Sequence, residues 1–416
     1  GPNNAVTAGP DDPGSPWAIG SADGGHTAIH AELGTLADFA RLRVAACEHG
    51  LELALDLAYQ CAPDHPWVTE HPAWFAHRPD QSIRYAENPP KKYQDIYPIN
   101  FETDDWEALW LGLKGVVDTW VERGVTIFRV DNPHTKAFPF WEWLIAAVHA
   151  EHPEVIFLAE AFTRPAVTYR LAKLGFTQSY TYFAWRYTKH EFEEYLTELT
   201  QTELQEFFRP NFWPNTPDIL TEQLQQGTHA TFVARLVLAA TLAANYGIYG
   251  PAFELAEVRP AHSDGGSEEY LDSEKYEVRW RDLALATDME AIITRVNAAR
   301  RDHPALQRND TLRFLPTTND SLIAYTKALP DNSDIVLIVV NLDGRWTQSG
   351  FLDVPLAGLG LDPALPFVVE DLLSGKNYLW QGERNYVELD PAFQAAHVFH
   401  VKSNLRDEHD FAGYDQ

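Results

Sequence analysis

Cysteine and methionine are nearly absent: of 416 residues, two are cysteine (Cys47 and Cys61) and one is methionine. Two thiols cannot build a disulfide framework, and no Cys/His run has the spacing of a structural metal site, so the hydrophobic core must hold the fold. Basic side chains are scarce as well, 32 against 60 acidic ones, which leaves a formal net charge of −28. Such a surface repels phosphate backbones and argues against general nucleic-acid binding. No run of 18 apolar residues occurs, nor a charged-then-apolar leader, so a cytoplasmic protein without membrane contact is expected. What the chain does have is 45% hydrophobic and 12% aromatic residues, enough for a large core. Its length suits two or three domains, or one α/β barrel with a smaller companion.

From about residue 35, amphipathic stretches alternate with short apolar runs, the pattern of repeated βα units around a parallel sheet. Trp106, Leu109, Trp110, Leu113, Val116, Val117, Trp120 and Val121 recur at helical spacing, predicting one buried stripe that ends at Gly124. Residues 125–130 then read as a strand covered on both faces, delivering Asp131 at its C-terminal end. The same grammar predicts a helix over 35–49 before strand 52–57, and a helix over 139–151 before strand 155–159, which ends at Glu160. Further strands are expected near 177–183, 211–213 and 245–249, with helices near 165–174, 188–207 and 230–244. That makes six strands, where a closed (β/α)8 TIM barrel needs eight. With the loop-like opening from Gly1 to Gly25, the shortfall implies that two N-terminal strands are absent from this chain or supplied elsewhere. After a helix at 287–302, short β-rich runs at 321–325, 334–341, 366–370 and 397–401 predict an antiparallel domain. The expected organisation is therefore a (β/α) barrel over 1–305, with an enlarged loop at 60–103, followed by an antiparallel β-sandwich over 306–416.

Barrel enzymes carry their reactive groups at the C-terminal strand ends. Here those positions hold Asp56 with Gln60, Arg129 with Asp131, Glu160, and Asp218. Arg129 and Asp131 are two apart on one strand, so their side chains share a face. An adjacent guanidinium favours an ionised carboxylate by about one to three pKa units, which suits Asp131 to nucleophilic attack. Glu160 closes an apolar run, where burial favours a protonated acid. Taken singly, a carboxylate at a strand end is more often a helix cap or a surface charge. The pair on consecutive strands, with an arginine beside the first, points to glycosyl transfer.

Gly124 to Asp131 resembles the nucleophile strand of the α-amylase superfamily, Phe157 to Phe162 its acid/base strand, and Asn215 to Asp218 the segment of its third carboxylate. Two places depart from common α-amylases: Pro217 stands for the histidine before the third aspartate, and Gln60-Cys61 for an Asn-His pair. Those departures, with the motifs Asp131 to Lys136, Glu87 to Asp95 and Tyr270 to Tyr276, are similar to the GlgE-type maltosyltransferases. These bacterial enzymes extend α-1,4-glucan from α-maltose 1-phosphate. The likeness runs over essentially the whole chain but only the C-terminal part of the family's sequence.

The resemblance implies a retaining glycosyltransferase with Asp131 as nucleophile, supported by Arg129, Glu160 as acid/base and Asp218 as transition-state stabiliser. It implies that Gln60, Asn132, Lys275 and Tyr276 bind the donor sugar, that Asn88, Lys91 and Tyr93 meet its phosphate, and that Ser15 lines the same pocket. Turn chemistry in Pro13-Gly14-Ser15-Pro16 accounts for Ser15 equally well. No metal or organic cofactor is implied, and the partners are the donor, the glucan and a second subunit, the family's homodimer forming largely through parts that precede this chain. Trp106, Trp110 and Trp120 are expected in the core, whereas Trp67, Trp74, Phe183, Trp185 and Tyr187 are candidates for an acceptor path. Two other readings compete: a hydrolase or trehalose-converting relative, disfavoured by Gln60 and Pro217, and an inactive glucan-binding fragment.

Overall fold

The computed structural model describes residues 14–20, 24–88, 91–261, 266–273 and 279–402, the side chains of Asn88 and Lys91 excepted. The chain divides into two compact units, 1–180 with 274–279, and 181–273 with 280–416.

The first unit carries the clearest βα repeats. Helix Leu36–Glu48 opens with a capping box: Thr35 accepts from the Asp38 N–H while the Asp38 carboxylate accepts from the Thr35 N–H. Helix Trp106–Glu122 buries Leu109, Leu113, Val116, Val117 and Trp120, as its periodicity requires. Trp106 departs from the expected stripe and stays 45% exposed, because it lies on the first turn and packs edge-on against Trp110 rather than entering the core. Gly124, at φ +85°, ends the helix and turns the chain into strand Ile127–Asp131. Strands Ala54–Leu57, Ile127–Asp131, Ile156–Glu160 and Gln178–Tyr180 lie side by side and parallel in that order. Their register pairs Asp56 with Arg129 and Asp131 with Glu160. Phe128, Phe140, Trp141 and Phe157 anchor the core of this unit, each contributing roughly 1.5–3 kcal/mol by burial. The long segment after Gln60 is itself structured, with Gln60–Cys61 paired to Tyr97–Pro98 and Ala86–Asn88 to Lys91–Tyr93.

In the second unit Pro210–Phe212 and Asn245–Tyr246 are parallel partners, so each of the six expected strands has a counterpart. The fourth and sixth are shorter than expected. Thr181 caps a 3-10 turn over Tyr182–Trp185, where apolar content alone reads as more strand. Likewise Thr202 separates helix Lys189–Gln201 from a 3-10 turn, so the helix does not run to 207. The β-rich region forms a six-stranded antiparallel sheet, ordered 313–315, 322–328, 335–341, 396–402, 366–371 and 377–381, and a two-stranded sheet of Gln348–Asp353 with Arg384–Leu389. Apolar side chains of both sheets share one core. Among the described residues, no helix is long and apolar enough to cross a membrane.

A buried histidine chain pins the segment before the first helix. His65 Nδ1 accepts from the Trp67 N–H at 3.0 Å, which places the His65 proton on Nε2. That proton faces His26 Nδ1 at 3.0 Å, and His26 Nε2–H donates to the Ala58 carbonyl at 2.8 Å. Gly25 lies against the His65 ring, where an added Cβ would come within 2.2 Å of Nε2. Burial, then the like charge of His65, pushes the His26 pKa down to about 3, and burial pushes His65 down to about 4. Both lie below the ordinary 6.5, so the pair's contribution to stability is complete above pH 6.5. It is lost as pH falls from there toward about 4 for His65 and about 3 for His26, by up to about 1.4 kcal/mol per pH unit for one imidazole. Thermal unfolding should therefore occur at lower temperature at pH 5 than at pH 7, with a smaller difference in His26→Gln.

Candidate active site

Asp131 and Glu160 occupy register-paired positions on neighbouring parallel strands, which sets their backbones about 4.8 Å apart and turns both side chains to one face. Both are buried. Arg129, buried beside them, answers their charge: its Nη1 lies 3.3 Å from Asp56 Oδ1 and 3.9 Å from Asp131 Oδ1, and its Nη2 lies 3.4 Å from Glu160 Oε1. One cation serves three carboxylates. The rings of Trp17 and Tyr180 flank it, with centroids 5.0 and 5.7 Å away. Burial by itself would lower the Arg129 pKa, but Glu160, Asp56, Tyr180 and Asp131 outweigh it and raise it above the ordinary value.

Asn132 bridges the two buried carboxylates. It leaves the strand in the left-handed region, at φ 44° and ψ 52°, which asparagine tolerates better than most residues. There its main-chain N–H donates to Glu160 Oε2 at 3.3 Å, while its side-chain Nδ2 donates to Asp131 Oδ1 at 3.2 Å. Lys136 Nζ holds the turn by donating to the carbonyls of Asp131 and Asn132, both at 3.3 Å. Burial raises the Glu160 pKa; Arg129 opposes this and Asp131 adds to it. The site thus sets a carboxyl group that keeps its proton to higher pH beside one supplied with an amide donor and a guanidinium. Those are the requirements for an acid/base and a nucleophile.

Three of the expected donor-site residues meet around Trp17. Gln60 Nε2 donates to the Trp17 carbonyl at 2.9 Å, Ser15 Oγ accepts from the Trp17 N–H at 3.2 Å, and Tyr93 packs with Trp17 on Ala18, Ala62 and Ile96. Trp17 in turn faces Arg129. Asn88 and Lys91 lie on the two strands of one hairpin, their side chains being outside the description, while Lys275 and Tyr276 lie outside the described residues altogether. Asp218 belongs to the second unit, on a tight turn closed by reciprocal 3.2 Å bonds between Thr216 and Ile219, and its own N–H donates to Thr216 Oγ1 at 3.2 Å. Of the aromatic candidates, Trp74 and Phe183 are buried and Trp67 packs against the core, whereas Trp185 and Tyr187 stay partly exposed. Trp17, Lys136 and Tyr180 were not foreseen, and Asp56 was noted at its strand end without a role. Of these, Lys136 alone carries a signal in the sequence, as the last residue of the motif that begins at Asp131.

Among the described residues, two clusters bring three ligand-type atoms within 4.8 Å of one another: His26, Cys61 and His65, and His303, Asp334 and His400. In the first, the facing imidazole nitrogens are engaged with each other and burial pushes the Cys61 thiol up, which suits a hydrogen-bond chain rather than an ion. In the second, Asp334 accepts from His303 Nδ1 at 2.8 Å and from the Ala305 N–H at 2.9 Å, a tie between chain segments.

The sequence is 56% identical over 407 residues to the α-1,4-glucan:maltose-1-phosphate maltosyltransferase of Chlorobaculum tepidum, covering 96% of this chain and 60% of that protein. It is 49% identical over 421 residues to the protein of the same name from Salinibacter ruber, covering 100% and 63%. Over nearly its whole length the chain is similar to the GlgE-type maltosyltransferases. It spans about three-fifths of the length of these relatives. The family model described as GLGE, C-terminal, matches residues 314–401. Among solved structures, the trehalulose synthase of Pseudomonas mesoacidophila aligns with a TM-score of 0.70 at 14% identity, covering 94% of this chain and 91% of that one. The α-amylase of Geobacillus thermoleovorans aligns with a TM-score of 0.68 at 15% identity, covering 91% and 84%. The fold is accordingly of the α-amylase type.

Arg129→Met would leave three carboxyl groups without their shared cation. Because the guanidinium opposes the effect of burial, Glu160 is expected to hold its proton to higher pH in this variant, read as the loss of one carboxyl stretching band at higher pH in an infrared difference titration against the parent protein.

Proposed function

We propose that the protein transfers a maltosyl unit from α-maltose 1-phosphate to the non-reducing end of α-1,4-glucan, releasing phosphate with retention of configuration. The observation that carries this reading is the register pair Asp131 and Glu160, bridged by Asn132 beside Arg129. An Asp131 carboxylate oxygen attacks the anomeric carbon as the bond from that carbon to the phosphate oxygen breaks, and Glu160 gives its proton to the departing oxygen. A glycosyl ester on Asp131 results. Glu160, now a carboxylate, takes the proton of the acceptor 4-hydroxyl, whose oxygen displaces Asp131 from the anomeric carbon. A retaining mechanism needs carboxyl groups about 5–5.5 Å apart, and adjacent positions on neighbouring strands suit that separation.

In this reading Gln60, Asn132, Lys275 and Tyr276 hold the maltosyl group, Asn88, Lys91 and Tyr93 meet the phosphate, Ser15 lines the pocket, and Asp218 holds sugar hydroxyls and favours the distorted ring. A protein of net charge −28 must concentrate cations and neutral donors locally to accept a phosphate ester. In the same reading residues 1–305 are the catalytic (β/α) barrel region and 306–416 a C-terminal β-sandwich domain. The protein acts in the cytoplasm as a homodimer.

In the full-length enzyme, Asp131→Ala is expected to lower both phosphate release and glucan extension by at least about 10⁴-fold. A 2-fluoro maltosyl donor should leave its sugar on Asp131, located by peptide mass spectrometry. A label on another residue, an inverted product, or free maltose without chain extension would replace this reading.

A further inference from the structure

Glu268 joins two parts of the second unit, the turn that carries Trp185 and the segment that follows Asp218. Its Oε2 accepts the indole N–H of Trp185 at 2.7 Å, and its Oε1 accepts the main-chain N–H of Glu222 at 3.1 Å. Its main-chain carbonyl accepts the N–H of Leu220 at 2.6 Å, two residues beyond Asp218. Neighbouring contacts reinforce this: Gln225 Nε2 donates to the carbonyls of both Leu220 and Ser267 at 2.8 Å, and Asn215 Nδ2 donates to the Tyr270 hydroxyl at 2.7 Å. Residues 267–270 therefore form a strap across the base of the Asp218 turn.

Trp185 is partly exposed and lies 5.4 Å from Tyr182, ring centre to ring centre. Its chain segment is held from below by buried Arg235, whose guanidinium donates to the carbonyls of Phe183 at 2.7 Å and Arg186 at 2.6 Å. An aromatic face is thus presented with its backbone bracketed and its polar edge pinned. The apolar faces of pyranose rings pack on such surfaces, and a ring already held in place loses little freedom when a sugar arrives.

We propose, resting on the maltosyl-transfer reading, that Glu268 is a positioning residue for the glucan acceptor. Its carboxylate orients the Trp185 indole as a sugar platform, and its main chain keeps that platform in register with Asp218. Glu268 makes no bond to substrate and acts through Trp185.

In the full-length enzyme, Glu268→Ala removes the two carboxylate bonds and leaves the main-chain bond to Leu220. The KM for maltoheptaose as acceptor is expected to rise about tenfold, as for a lost hydrogen bond to a charged group, while kcat and the donor KM change less than about twofold. Trp185→Phe, which keeps a ring but lacks the N–H, should weaken the acceptor likewise, and the double variant should be no worse than the weaker-binding single one. If the alanine variant does not fold, Glu268→Gln, which retains one acceptor oxygen, should show a smaller rise of the same kind. Additive effects, an unchanged acceptor KM, or equal rises for donor and acceptor would overturn the proposal. Calorimetric binding of maltoheptaose needs no turnover and separates the two readings. Should maltose 1-phosphate prove not to be the donor, glucan binding about tenfold weaker in Glu268→Ala still supports the assignment, and unaltered binding refutes it.

Discussion

The site depends on one buried guanidinium. Arg129 sits among Asp56, Asp131 and Glu160, and without it three carboxyl groups would crowd one end of a parallel sheet. Removing one partner of a buried ion pair typically costs about 3–5 kcal/mol, because the remaining charge is left without compensation. Strand register makes the sharing feasible. Asp56 stands opposite Arg129, and Asp131 opposite Glu160, so the cation and its three partners converge without irregular backbone inside the strands.

Irregular backbone begins one residue later, where it is useful. The left-handed turn at Asn132 directs a main-chain N–H to one carboxylate and a side-chain amide to the other. A longer strand would have committed that main-chain N–H to the sheet ladder. The surrounding layers extend the same order outward: Trp17 packs over Arg129, Gln60 and Ser15 hold Trp17, and the His26–His65 chain ties the neighbouring loop to the end of the first strand. The pKa of Glu160 is raised because it is dry, and the rise is moderated because Arg129 is near. Acid/base character here is a property of the environment rather than of the glutamate alone.

Much of the architecture was legible because buried parallel strands and amphipathic helices write their periods plainly. The stripe from Leu109 to Trp120 and the apolar runs before Asp131 and Glu160 are of this kind. The strands Gln348–Asp353 and Arg384–Leu389 were missed, since they alternate buried and exposed residues over short, polar stretches. The turn over Tyr182–Trp185 was read as strand, because a threonine cap overrides aromatic β-propensity without changing composition. Trp106 was placed in the core by periodicity, which does not say where packing stops at a helix end.

The carboxylates, the arginine beside them and the strands that carry them were determined by the sequence itself, through local period and spacing along the chain. Which strand neighbours which, and hence that Arg129 faces Asp56 and that Trp185 is pinned by a residue more than eighty positions away, was decided only by the tertiary structure. The physical reason is range. Hydrophobic periodicity reports the environment of one element, whereas hydrogen bonds and ion pairs between elements form only after the core has brought distant segments together.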